Sequence, residues 1–116
     1  MMKVVIIEDE SFAAERLESQ LKDIDPNIQV VAKLAGVKDA VRWFMQHSVD
    51  LVFLDIQLSD GLGFHIFEQV KINTPVIFTT AYDQYAIKAF KLNSVDYLLK
   101  PVRRSELETS RSKPVF

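Results

Sequence analysis

Residues 50–63 read DLVFLDIQLSDGLG, and this stretch decides the fold class. Leu51–Leu54 is a short, wholly apolar run, which is typical of a strand buried on both faces of a parallel sheet. Asp55 follows this run directly, and Ser59–Gly61 has the composition of a turn. Open α/β sheets bind their ligands at the carboxyl ends of central strands. Taken alone, Asp55 is more simply a helix cap or a loop carboxylate, so its meaning depends on the residues that accompany it.

The composition indicates one globular domain. The chain has 116 residues, of which 48% are hydrophobic and 26% charged. No apolar run approaches the length of a membrane span, and no secretory signal pattern opens the sequence. The absence of Cys excludes disulfides and thiolate metal sites, and a net charge of −2 gives no general attraction to nucleic acid. We therefore expect a cytoplasmic domain that does not contact the membrane.

Other apolar runs alternate with segments of helical periodicity. The further strands are predicted at Val4–Ile7, Ile28–Ala32, Val76–Thr79 and Val95–Leu99. Helices are predicted where apolar residues recur at helical spacing: from Phe12 to Ile24, over Val37–Gln46, along a face that carries Leu62, Ile66 and Val70, and over Tyr85–Leu92. Leu107 is the one apolar residue between Val102 and Pro114, so we expect the fifth helix to be short or incomplete.

Successive strand–helix units predict a flavodoxin-like (βα)5 fold, a doubly wound parallel sheet with strand order 2-1-3-4-5. In this order the first, third and fourth strands lie together at the switch point of the sheet. Their carboxyl ends carry Glu8 and Asp9, Asp55, and Thr80, and the fifth strand brings Lys100 to the same edge. The topology therefore predicts one polar site at this edge.

The chemistry of these residues favours phosphoryl transfer. Converging carboxylates repel one another, so either a cation lies among them or they share a proton. If a cation is bound, oxygen ligands select Mg²⁺, or Mn²⁺, over Zn²⁺. An aspartate can act as a nucleophile and form an aspartyl phosphate. Asp55 is the candidate nucleophile, and Asp9 with Glu8 would hold the metal. Lys100 would neutralise phosphoryl charge, and Thr80 would donate a hydrogen bond to a phosphoryl oxygen.

Each of these residues also has a simpler interpretation. Asp9 would favour the N-terminus of the first helix, Thr80 is an ordinary residue at a strand end, and Lys100 alone would be a solvated lysine. The specific signal is that all of them fall at the same end of successive strands.

In this combination the sequence resembles the receiver domain of two-component response regulators. The matching residues are Glu8-Asp9, Asp55, Thr80-Ala81 and Lys100-Pro101, and the resemblance covers about residues 3–102. It implies that a sensor histidine kinase phosphorylates Asp55. It also implies that Asp9, Asp55 and the backbone carbonyl of Gln57 hold Mg²⁺, with Glu8 acting through water, and that the Lys100–Pro101 bond is cis.

The resemblance assigns three further residues. Tyr97 matches the family's aromatic switch, which turns inward when Thr80 moves to the phosphoryl group. Ordinary strand packing is the simpler interpretation of Tyr97. Gln57 and Tyr82 match positions that flank the phosphoryl group, and we expect the bulky Tyr82 to hinder the hydrolytic water. The family also suggests a homodimer through the face of the fourth helix and fifth strand.

A closer resemblance is to the LytTR-type (LytR/AlgR) regulators. It is carried by Phe78–Val102, which reads FTTAYDQYAIKAFKLNSVDYLLKPV. In that subfamily a DNA-binding output domain follows the receiver, and none is present here. We expect residues 1–116 to be a single receiver domain with a short helix or tail from 103, excised from a longer regulator rather than a single-domain regulator. Glu8 replaces the more usual Asp, and Ser59 stands where many receivers have Pro.

The motifs are compatible to different degrees with three classes of function. A phosphorylated switch, with DNA binding only through a missing output domain, fits the motifs best. A Mg²⁺-dependent phosphatase with an aspartyl nucleophile would need a second carboxylate close after Asp55, where Ile56 and Gln57 stand. A flavodoxin-like ligand-binding module would need a phosphate-binding loop after Ile7, where the acidic cluster lies instead.

Overall fold

The apolar runs of the sequence form one parallel sheet. The computed structural model describes residues 2–81 and 96–111. The strands are β1 (Met2–Ile7), β2 (Ile28–Leu34), β3 (Leu51–Asp55), β4 (Gln57–Leu58), β5 (Gly61–Leu62), β6 (Val76–Thr80) and β7 (Asp96–Leu99). Five of them pair in parallel in the order β2-β1-β3-β6-β7, while β4 and β5 form a small antiparallel hairpin. The predicted order 2-1-3-4-5 is thus confirmed, and Val95 lies outside the described residues.

Two strands run one residue further than predicted, and both extensions bear on the site. Asp55 is the last residue of β3 and Thr80 the last of β6. The Ile56 N–H donates to the Thr79 carbonyl over 3.1 Å, and the Lys100 N–H donates to the Thr80 carbonyl over 2.7 Å. These ladder bonds continue past the apolar runs and therefore fix the backbone at the polar ends of the strands.

The helices are α1 (Ser11–Ile24), α2 (Val37–Phe44), α3 (His65–Gln69) and α4 (Arg104–Arg111). The predicted third helix is wrong in extent, because Leu62 belongs to β5 and Val70 is extended. The Ser59–Asp60 turn, followed by Gly61 at a φ of 142°, takes this part of the chain into the hairpin. The helix predicted over Tyr85–Leu92 lies outside the described residues, and the short C-terminal helix is present as α4.

The sheet is buried on both faces. In β1, Val5 and Ile7 belong to one core with α2 and α3, whereas Val4 and Ile6 belong to a second core with α1 and α4. This alternation explains why the strands read as continuous apolar runs. Among residues 2–81 and 96–111, no helix has the length and apolar character needed to cross a membrane.

Candidate phosphoacceptor site

Three carboxylates converge at the carboxyl edge of the sheet. In the β1–β3 ladder Ile7 lies opposite Leu54, so Glu8 and Asp55 leave the sheet side by side. One oxygen atom from each of Glu8, Asp9 and Asp55 lies within 4.8 Å of the others. Glu8 and Asp55 are only 8% and 5% exposed, whereas Asp9 faces solvent. The predicted acidic cluster is therefore present.

Lys100 reaches across β6 into this cluster. Its ammonium donates a hydrogen bond to Asp55 Oδ2 over 2.9 Å and another to Glu8 Oε1. The hydrogen bond from the Lys100 N–H to the Thr80 carbonyl fixes the backbone from which the Lys100 side chain extends. The Lys100–Pro101 peptide bond is cis, as the family resemblance implies. The contact between Lys100 and Glu8 was not foreseen from the sequence, which paired Glu8 with a metal and Lys100 with a phosphoryl group.

Burial and neighbouring charges shift the pKa values of Glu8, Asp9 and Lys100 in the cluster. Burial raises the pKa of Glu8, and Lys100 opposes this effect only in part. Burial also raises the pKa of Asp9, as does the neighbouring Glu8. Burial lowers the pKa of Lys100, but the hydrogen bonds to Glu8 and Asp55 outweigh it and the net shift is upward. One ammonium shared by several carboxylates leaves a site that favours an added cation.

The donor set fits a hard divalent cation. All the side chains of the cluster offer oxygen, with two buried carboxylates and one exposed carboxylate. This combination suits Mg²⁺, which binds a few carboxylates while keeping several waters. Gln57 lies two residues after Asp55, at the start of β4. A ligand role for its backbone carbonyl stays a prediction.

Backbone contacts hold the Asp55 carboxylate in place. The Gln57 N–H donates to Asp55 Oδ1 over 3.1 Å, so the two carboxylate oxygens have different partners. Gly63 packs against the same residue: a Cβ atom at Gly63 would lie 2.6 Å from the Asp55 carbonyl oxygen. No role for Gly63 was predicted from the sequence. Its signal is a glycine just after a turn, where the backbone must approach another strand closely.

The two proposed switch residues lie on neighbouring strands. Thr80 ends β6 and is fully buried, and Tyr97 lies opposite Phe78 in the β6–β7 ladder. The Tyr97 side chain is partly buried and packs against the core on the α2 and α3 side of the sheet. Movement of either residue stays a prediction. Tyr82 lies outside the described residues.

Comparison with known proteins identifies the family. The family described as "Response regulator receiver domain" matches residues 4–111. The chain is 40% identical over 104 residues to the sensory transduction protein LytT of Bacillus cereus, covering 87% of this chain and 42% of that protein. It is 41% identical over 109 residues to LytT of Enterococcus faecalis, covering 91% and 45%. The chain thus spans less than half the length of these curated relatives.

A solved structure supports the same assignment. The response regulatory domain of protein mrkE from Klebsiella pneumoniae superposes with a TM-score of 0.85 at 28% identity, covering 94% of this chain and 91% of that one. The matched family spans nearly all the described residues, including the acidic cluster and Lys100. The predicted LytR/AlgR resemblance agrees with the LytT relatives. The chain belongs to the receiver domains of two-component response regulators, and its curated relatives are of the LytT and LytR type.

Proposed function

We propose that this receiver domain accepts a phosphoryl group on Asp55 from a sensor histidine kinase, in a reaction that requires Mg²⁺. One observation carries the proposal: a buried carboxylate at the end of a central strand lies 2.9 Å from an ammonium and beside two further carboxylates. A structural ion pair would not need the extra acidic groups, which are costly unless a cation joins them.

In the proposed reaction an Asp55 carboxylate oxygen bonds to the phosphorus of a phosphohistidine. The phosphorus–nitrogen bond breaks, its electron pair stays on the imidazole nitrogen, and that nitrogen takes a proton. Lys100 neutralises charge on the phosphoryl oxygens, while the Gln57 N–H keeps the carboxylate oriented. Bound Mg²⁺, held by Asp9, Asp55 and the Gln57 carbonyl with Glu8 acting through water, would neutralise the remaining phosphoryl charge.

The test is intact mass after incubation with Mg²⁺ and acetyl phosphate. We expect one added phosphoryl group in the parent, none without Mg²⁺ and none in Asp55→Ala. Asp23→Ala, an exposed aspartate on α1, is the matched control and should be modified like the parent. An adduct that persists in Asp55→Ala would place the phosphoacceptor elsewhere.

The surface beside the site has features that favour the binding of a protein partner. A groove between α1 and the segment Lys100–Val102 ends at Glu8 and Lys100. Phe12 lies at its edge and is 78% exposed, which is unusual for a phenylalanine. We propose that the kinase docks here and brings its phosphohistidine to Asp55. Phe12→Ala should then slow phosphoryl transfer from the kinase and leave the reaction with acetyl phosphate unchanged; equal rates from the kinase would contradict this docking site.

In the full-length protein we propose that phosphorylation controls DNA binding and transcription. The support is that the chain covers only 46% of the Staphylococcus aureus protein named transcriptional regulatory protein LytR, leaving room for an output domain. A homodimer through β7 and the helix predicted at Tyr85–Leu92 belongs to the same proposal. Sedimentation of the domain before and after phosphorylation tests the dimer.

A further inference from the structure

The two ends of β7 contact two different parts of the molecule. At its carboxyl end, Lys100 bonds Asp55. At its amino end, the Asp96 carboxylate lies beneath α4 and accepts a hydrogen bond from the Ser110 hydroxyl at Oδ2. Through Oδ1 the same carboxylate accepts the Tyr97 backbone N–H over 2.8 Å. One carboxylate therefore connects α4 to the backbone of the strand that carries Tyr97 and leads to Lys100.

The attachment of α4 has an unusual composition. Of the residues from Arg104 to Ser110, only Leu107 and Ser110 are buried, and both are fully so. They are three positions apart and therefore lie on the same face of the helix. Leu107 packs in the same core as Leu98 of β7. The second anchor is the Ser110 hydroxyl, which is buried and therefore needs a hydrogen-bond partner. An alanine at this position would fill the space without needing such a partner.

A polar anchor differs from an apolar one because it depends on direction as well as distance. A hydrogen bond weakens steeply when its angle changes, whereas apolar contacts tolerate small shifts. A change in β7 that rotates the Asp96 carboxylate would therefore act on α4 through Ser110. In the full-length regulator proposed above, an output domain would follow α4 in the sequence.

We propose that the Asp96–Ser110 hydrogen bond couples the phosphoacceptor site to α4, so that a change at Lys100 alters the local stability of α4. Asp96 and Ser110 are positioning residues in this scheme, because neither contacts the phosphoacceptor cluster. The proposal deepens the proposed function and rests on it for its physiological meaning.

Hydrogen–deuterium exchange of residues 104–111 tests the coupling. The measurement compares the protein with and without Mg²⁺ and beryllium fluoride, which imitates a phosphoryl group on aspartate. We expect the exchange rate of α4 to change about threefold or more in the parent and in Ser105→Ala, an exposed serine on the same helix. In Ser110→Ala the α4 response should be lost while the response of β7 remains. An unchanged α4 response in Ser110→Ala, or none in the parent that shows a β7 response, would overturn the proposal.

Two further variants cover the cases in which Ser110→Ala does not fold or the proposed function fails. Asp96→Ala, which leaves the Ser110 hydroxyl without its acceptor, should reproduce the loss of response if Ser110→Ala does not fold. If intact mass shows no phosphoryl acceptance at Asp55, the proposed function fails, and Lys100→Met in metal-free protein becomes the perturbation. Lys100→Met should then change the hydrogen-exchange rate of α4 in the protein that has Ser110 and leave it unchanged in Ser110→Ala. Equal changes in the two proteins would refute the coupling.

Discussion

Lys100 Nζ lies 2.9 Å from Asp55 Oδ2, although β6 runs between the strands that carry the two residues. We expect Lys100→Met to lower the rate of phosphoryl transfer from acetyl phosphate about a hundredfold, because the variant removes a preorganised positive charge from the developing phosphoryl anion. Quenched-flow intact mass measures the rate. Lys22→Met, which removes an exposed lysine from the ion pair with Glu18, is the control. Equal rates in Lys100→Met and the control would exclude this role.

Mg²⁺ binding should depend on the Asp9 carboxylate and not on that of its neighbour Glu10. Asp9→Asn removes one carboxylate of the cluster, so the Kd for Mg²⁺ should rise about tenfold or more by isothermal titration calorimetry. Glu10→Gln changes an adjacent exposed carboxylate outside the cluster and should leave the Kd unchanged. A similar loss in both variants would mean that the effect is general surface charge rather than ligation.

Gly63 should be required for space, and Gly61 for backbone conformation. In Gly63→Ala the new methyl group would meet the Asp55 carbonyl oxygen and the Leu54 side chain, so we expect a loss of about 1–3 kcal/mol in the free energy of unfolding and slower phosphorylation. Gly61→Ala has room for its methyl group but a positive φ, and it should cost about 1–3 kcal/mol with phosphorylation retained. Urea unfolding and intact mass separate the two; normal phosphorylation of Gly63→Ala would contradict the first expectation.

Asp60 caps α2 from the β4–β5 hairpin, and this contact should depend on pH. Its two carboxylate oxygens accept the backbone N–H groups of Val37 and Lys38 over 2.7 and 3.1 Å, and these bonds hold the pKa of Asp60 below its ordinary value. Because the folded pKa is lower than the unfolded one, the stabilisation is present above the ordinary pKa and is lost as the pH falls through the folded pKa.

Asp60→Asn keeps one acceptor oxygen but removes the negative charge at the start of α2, and it should therefore lower the free energy of unfolding by about 0.5 kcal/mol at neutral pH. The difference from the parent should shrink as the pH falls below the ordinary pKa of aspartate. Urea unfolding across this pH range provides the measurement, with Asp23→Asn as the control. A difference that stays constant with pH would show that the charge of Asp60 does not matter.

Tyr82 is expected to slow dephosphorylation by hindering the attacking water. Tyr82→Ala should therefore shorten the lifetime of the phosphorylated state, which intact mass measures after acetyl phosphate is removed. Tyr82→Phe keeps the ring and is the matched control. An unchanged rate in Tyr82→Ala would remove this residue from the mechanism.

The sequence predicted best those features that follow from strand periodicity. The apolar runs ending at Ile7 and Leu54 define strands, and parallel topology then places Glu8, Asp9 and Asp55 together. The third helix was predicted too long because Leu62 and Val70 have helical spacing, whereas Leu62 belongs to the β4–β5 hairpin, which Gly61 enters at a φ of 142°. Likewise, periodicity counts only apolar residues, and it overlooked the buried Ser110.

The strand order has a consequence for biosynthesis. Asp55 is translated in the first half of the chain, and its acidic neighbours Glu8 and Asp9 precede it, but Lys100 follows 45 residues later. A nascent chain that exposes β1 and β3 therefore carries the carboxylates without their ammonium, and β6 and β7 must pair before the charge is balanced. Asp55 is therefore synthesised well before Lys100. A nascent domain cannot form the complete site until synthesis has passed Lys100.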